Sequence, residues 1–136
     1  MKNIWTSTHL NTGAHQNERD LKLLFPSIGV NAYGGAVMSF SVSGPNFFPS
    51  TGYAIIPVFG HAGKVHVMGV GAAPDDGFTG YQAFGGPPGR WGDYSAAVAG
   101  PDGSIWMAAE YIPNAPRTVL ANWGTFITKV GPFWSD

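Results

Sequence analysis

Residues 90–111 read RWGDYSAAVAGPDGSIWMAAEY and hold the densest set of reactive side chains in the sequence. Arg90, Asp93, Tyr94 and Glu110 offer a cation, two carboxylates and a phenol, with the Trp91 indole among them. An Arg beside a carboxylate can grip an anion or a polyhydroxylated ring through charge-assisted hydrogen bonds, and flat aromatic rings can stack on it. Two carboxylates flanking a glycosidic bond are the equipment of glycoside hydrolysis. Downstream, Trp123 in NWGT adds another aromatic face. We take Arg90, Trp91, Asp93, Tyr94, Glu110 and Trp123 as ligand-binding candidates and assign no catalytic residue. A plainer reading stands beside this one. Arg90 and Asp93 pair to fix a turn, and Trp91 fills a wedge between packed sheets. Glu110 and Tyr111 are neighbours on an expected strand, where side chains alternate between faces. They therefore cannot both address one substrate.

Other reactive groups are sparse. Among His9, His15, His61 and His66, only His61 and His66 flank a common turn, and no third zinc ligand accompanies them. Asp75-Asp76-Gly77 could lend oxygens to calcium, although a solvated surface loop is the preferred reading. No other cofactor is expected. The sequence contains no nucleophile elbow, phosphate loop, zinc-protease helix or dinucleotide fingerprint.

These side chains need a scaffold, and composition points to its class. The 136 residues suit one domain, with residues 1–21 as an N-terminal strand and linker, 22–71 as a first unit and 72–136 as a loop and second unit. Twenty Gly and eleven Pro punctuate short apolar runs, the pattern of an all-β fold. Only His15–Leu24 could turn as a helix, for a turn or two. Charged residues make up 11% of the chain, against about 25% in an average domain. That shortage suggests a surface partly covered by another chain. The net charge of −1 comes with scattered basic residues, which argues against nucleic acid as a partner. There is no apolar run of membrane-spanning length and no apolar signal sequence near the N-terminus. The absence of Cys leaves the redox compartment open.

The chain also repeats. At an offset of 68, identities fall at Ser27/Ser95, Val30/Val98, Gly35/Gly103, Pro45/Pro113 and Asn46/Asn114. Each copy reads strand, tight turn, longer strand, Pro-Asn loop. Third strands are expected at Gly52–Phe59 and Trp123–Val130, and a fourth at Lys64–Val70 in the first copy alone. The orphan strand Asn3–His9 could complete the second copy as a latch between subunits. We therefore expect two four-stranded antiparallel, propeller-like blades. A two-bladed unit leaves open faces, so the ring is expected to close by homo-oligomerisation, as a trimer or tetramer.

RWGDYSAAVAGPDGSIWMAAEY, with NWGTFI at 122–127, resembles the final blade of bacterial sialidase-like β-propeller proteins of the Asp-box type. Residues 25–54 resemble the blade before it, so the likeness spans nearly the whole chain. It implies a propeller fold, secretion or an envelope location, and carbohydrate as a ligand. Asp102-Gly103-Ser104-Ile105-Trp106 keeps the Asp, Gly and Trp of the Asp-box in altered spacing. Glu110 and Tyr111 are similar in type to the nucleophile pair of true sialidases, but there the pair is not adjacent. The three arginines that such enzymes close on a substrate carboxylate could only be Arg19, Arg90 and Arg117. The reading that follows is a non-catalytic propeller module that self-assembles and binds glycans. Two alternatives stand: a sialidase-like hydrolase whose site forms between subunits, and a structural subunit of an envelope or filament.

Overall fold

A computed structural model describes residues 21–79, 91–92 and 94–132. The expected strand Asn3–His9, Arg90 and Asp93 lie outside these residues. Among the described residues no helix is long and apolar enough to cross a membrane. Within the described residues seven strands form two antiparallel sheets. The first sheet is a meander of β1 (Lys22–Val30), β2 (Ala36–Gly44), β3 (Phe47–Ile56) and β4 (His66–Gly69). The second holds β5 (Ala96–Ala99), β6 (Ile105–Tyr111) and β7 (Gly124–Val130), in that order. The fold is thus all-β, with four strands in one sheet and three in the other.

Several boundaries depart from expectation. Lys22–Leu24, placed in a possible helical turn, is strand, because β2 offers it a partner across the sheet. Pro45-Asn46 is not a longer loop in the first copy. Gly44 pairs with Phe47, so these two residues make a tight hairpin and β3 starts at Phe47 rather than Gly52. Pro suits the first inner position of such a turn because its φ is already fixed. In the second copy the same dipeptide opens the long connection between β6 and β7.

The repeat is real in the backbone but slipped by one residue from the sequence identities. Val30 pairs with Ala36, and Ala99 with Ile105, so each hairpin closes on five residues. The amides of Asn31 and Gly34 donate to Gly35 O and Asn31 O at 2.9 and 3.1 Å, and those of Gly100 and Gly103 to Ser104 O and Gly100 O at 2.7 and 3.2 Å. Gly34 and Gly103 take φ of 84° and 79°, a left-handed conformation that glycine enters without strain. Gly103 thus corresponds to Gly34, an offset of 69, and not to Gly35. Because strand side chains alternate with period two, this slip exchanges the faces of every residue compared.

The two sheets stack face to face. β1 lies over β5, β2 and β3 lie over β6, and β4 reaches β7 through Met68 and Gly69. Between them sits an apolar cluster of Val37, Tyr53, Ile105 and Met107, flanked by Ile55, Met68, Ala97 and Val130. Gly29 lets the backbones approach, since a Cβ there would stand 2.9 Å from the Ala97 carbonyl carbon. A second cluster, Phe40, Val42, Ala54 and Val67, lies on the far face of the first sheet, with Leu21, Phe47 and Val65 packed against it. Polar ties cross the seam too. The Asn31 side-chain Nδ2 donates to Gly103 O at 2.8 Å, and the buried Thr51 hydroxyl to Ala109 O at 3.2 Å.

Candidate functional site

The topology gathers the candidate residues at one end of the second sheet. Residues 91–95 lead into β5, Glu110 stands near the end of β6, and Trp123 immediately precedes β7. The register confirms the grouping within the described residues: Glu110 is opposite Thr125, and Tyr111 is opposite Gly124. Arg90 and Asp93 lie outside the described residues, so their contacts do not enter the description.

The start of β1 supplies the wall. A bulge between Leu24 and Ser27 puts Phe25 at φ 53°, a left-handed backbone unusual for a side chain of this size. The Ser95 hydroxyl donates to Phe25 O at 2.5 Å, which ties the bulge to the chain entering β5. Gly92 sits between Phe25 and Glu110. A Cβ on Gly92 would lie 3.0 Å from Glu110 Oε2 and 3.2 Å from the Phe25 ring, and its φ of 50° also favours glycine. The glycine of RWGDYS therefore keeps the Glu110 carboxylate and the Phe25 ring close together.

Around this contact the aromatics differ in state. Trp91 is half-buried, and its indole N–H is buried with no hydrogen-bond partner. Tyr94 is 87% exposed and Trp123 is 44% exposed. Tyr111 turns away from Glu110, as alternation demands, and meets Phe126 edge to face at 5.4 Å. Glu110 and Tyr111 therefore do not share a face. An unpaired indole donor, a nearby carboxylate and exposed rings are groups suited to a polyhydroxylated ligand. Such a ligand accepts and donates hydrogen bonds at its rim and stacks by its faces.

Arg117, considered as a possible substrate clamp, is engaged elsewhere. Its Nε donates to Asp76 Oδ2 at 2.6 Å, and one terminal nitrogen, Nη2, to Gly77 O, Thr79 Oγ1 and Leu120 O at 3.2, 2.9 and 3.3 Å. Arg117 thereby ties the 74–79 loop to the 117–122 loop, with Asn122 bonding Pro74 O at 2.9 Å beside Trp123. The Asp75-Asp76-Gly77 segment is organised by this guanidinium and by an Asp75 side chain that accepts the Gly77 amide at 3.0 Å. Among the described residues, no three His, Cys, Asp or Glu side chains converge as metal ligands. His66 stacks on Tyr53 at 4.8 Å, and His61 lies in an exposed turn.

Sequence reasoning missed a polar cluster at the opposite end of the same sheet. Asp102 accepts from Ser104 Oγ at 2.5 Å, from the Ser104 amide at 3.2 Å and from Lys129 Nζ at 3.0 Å. These bonds, led by the Ser104 hydroxyl, lower the Asp102 carboxyl to a pKa of about 2. Lys129 also sits 5.5 Å from the centre of the Trp106 ring. The Asp-Gly-Ser turn signals half of this cluster. Lys129 carries no local signal, because its partner is 27 residues away. Compared with family models, with curated proteins and with solved structures, the chain matches none.

Proposed function

We propose that this chain is a non-catalytic module that assembles with further copies by continuing its stack of β-sheets in the manner of propeller blades. One observation carries the reading. The two sheets are repeats at an offset of 69, stacked with equivalent strands in the same direction. A stack of that kind does not use itself up. Each sheet presents one face forward and the other backward, as a ring of blades requires. Oligomerisation also answers the low charge content, since covered surface needs fewer charges. Light scattering coupled to size exclusion tests the reading. A discrete trimer or tetramer of the 14.4 kDa chain is expected, and a monomer at every concentration would refute it.

A second function at the rim is supported by the unpaired Trp91 donor beside Gly92 and Glu110, with Tyr94 and Trp123 exposed at the same end. We propose that this rim binds carbohydrate. A glycan array read with wild-type protein and with Trp91→Phe tests it. Binding that is lost in the variant is expected, and no binding to any glycan would remove it.

A further inference from the structure

The internal seam shows what the front of a sheet in this protein packs against, and the second sheet has the same front uncovered. On the first sheet the front residues include Gly29, Val37 and Tyr53, all directed into the seam. At the structural offset, Gly29 corresponds to Val98 and Val37 to Trp106. Val37 pairs with Ile55 and Trp106 with Lys129, so Tyr53 corresponds to Ile127. Val98, Trp106 and Ile127 are 64%, 50% and 66% exposed. They pair or neighbour one another on one face, since Val98 is opposite Trp106 and Ile127 is opposite Ala108.

The complementary surface is open at its Ile28–Val30 end, while Ala36 is 8% exposed and Met38 packs against the second cluster. In the seam the second sheet receives the first on Ala97, Ile105 and Met107. Their counterparts on the back of the first sheet are Ile28, Ala36 and Met38. Ile28 and its neighbour Val30 are 53% and 56% exposed. The rest of that back is closed, with Phe40 and Val42 at 1% and 0% exposure. The part near the β1–β2 turn is therefore the receiving half.

We propose that Val98, Trp106 and Ile127 dock onto the Ile28–Val30 end of the first sheet in a second copy of this chain, pairing the same two faces as the internal seam at a wider spacing, because Val98 stands where that seam needs Gly29. The inference rests on the assembly reading and adds to it a front, a back and a direction. A face of two seven-residue strands and one four-residue strand covers about 300 Å², from strand spacings of about 4.8 Å and rises of about 3.4 Å. That is well below the roughly 800 Å² per partner of a standard interface. Each contact is weak alone, and closing a ring makes the contacts mutually reinforcing.

The experiment mixes two variants, Trp106→Glu and Ile28→Glu, each first checked for a wild-type circular dichroism spectrum. Ile127→Asp replaces Trp106→Glu if that variant fails to fold. Wild type is expected to assemble, and each variant alone to run as the 14.4 kDa monomer. Their equimolar mixture, held at high concentration because a single contact has no ring to reinforce it, should form a dimer that dissociates on dilution, since one partner keeps a good back and the other a good front. If wild type assembles while the mixture stays monomeric, or if either variant assembles like wild type, the proposed pairing is overturned and the assembly reading stands. If wild type is monomeric throughout, both fall.

Discussion

Replacing Gly29 by Val sets two physical effects against each other, and the sign of the result decides between them. Gly29 lies inside β1, where intrinsic preference favours Val over Gly by about 1 kcal/mol. Its structural counterpart Val98 is a Val and stands 64% exposed. Strand propensity alone therefore makes Gly29→Val stabilising. The seam says the opposite. The first added atom would lie 2.9 Å from the Ala97 carbonyl carbon, 2.9 Å from Ile105 Cγ2 and 3.0 Å from Ala97 O. Two of those atoms are backbone, so no rotamer change relieves them. Overpacking by one such group costs about 1–3 kcal/mol, and Val brings two further methyl groups into the same gap. A net loss of at least about 3 kcal/mol is expected, or roughly 12 °C in melting temperature for a chain of this length. The assay is thermal unfolding followed by circular dichroism, beside Val98→Gly. That control leaves the internal seam untouched and, at a concentration where the chain is monomeric, should lose about 1 kcal/mol, roughly 4 °C. A Gly29→Val protein that melts at or above wild type would show that β1 does not press on β5, and the stacked arrangement would have to be abandoned.

The core and the polar clusters give further expectations. Met107→Ala, at 1% exposure in the seam, should cost about 2–5 kcal/mol in a urea titration, and a loss below 1 kcal/mol would place Met107 outside a packed core. Trp91→Phe removes a buried N–H that has no partner, so its melting temperature should match or exceed that of wild type; a clear fall would mean the indole N–H is bonded in solution. Asp102 has a folded-state pKa of about 2, below its unfolded value, so its contribution is present above the unfolded pKa near 3.8 and is lost as pH falls through the folded one. Stability should decline between pH 4 and 2 less steeply in Asp102→Asn than in wild type, and identical slopes would remove the Ser104 and Lys129 bonds from the account. Arg117→Ala should leave global stability within about 0.5 kcal/mol while speeding amide exchange in 74–79 and 117–122, because its ion pair is partly exposed. Unchanged exchange would show that the two loops hold without it.

Much of the scaffold was legible in the sequence because turn chemistry is local. Gly and Pro marked nearly every hairpin, and the expected strand at Trp123–Val130 differs by one residue from the observed Gly124–Val130. The register between the repeats was not legible, because residue identities compare side chains while the hairpins are fixed by φ at Gly34 and Gly103. One residue of slip is enough to exchange the buried and exposed sides of β6, and with them the role of Trp106. At the candidate site, the gathering of Trp91, Tyr94, Glu110 and Trp123 at one end followed from strand order alone. The Phe25 bulge beside Gly92 could not be foreseen, because the two come together across about seventy residues of chain. Arg117 stood in the sequence only as one of three arginines that could meet a substrate carboxylate, and its hold on Asp76 depends on loops that only the folded chain brings side by side.

The hydrogen bonds that stitch one sheet to the other join residues far apart in the chain, at separations such as 58, 70 and 72. Within each sheet, strands that are neighbours in sequence are also neighbours in space. Closing a loop of seventy residues is entropically costlier than closing a hairpin, and long-range contacts slow folding. The meanders are therefore expected to zip early and the docking of one on the other to limit the rate. Substitutions in the seam should then accelerate unfolding far more than they retard refolding. Stopped-flow traces of Met107→Ala in which refolding slows as much as unfolding quickens would contradict that order of events. On this view the lifetime of the folded chain is set at the seam, and the hairpins govern only how soon each sheet is ready to meet the other.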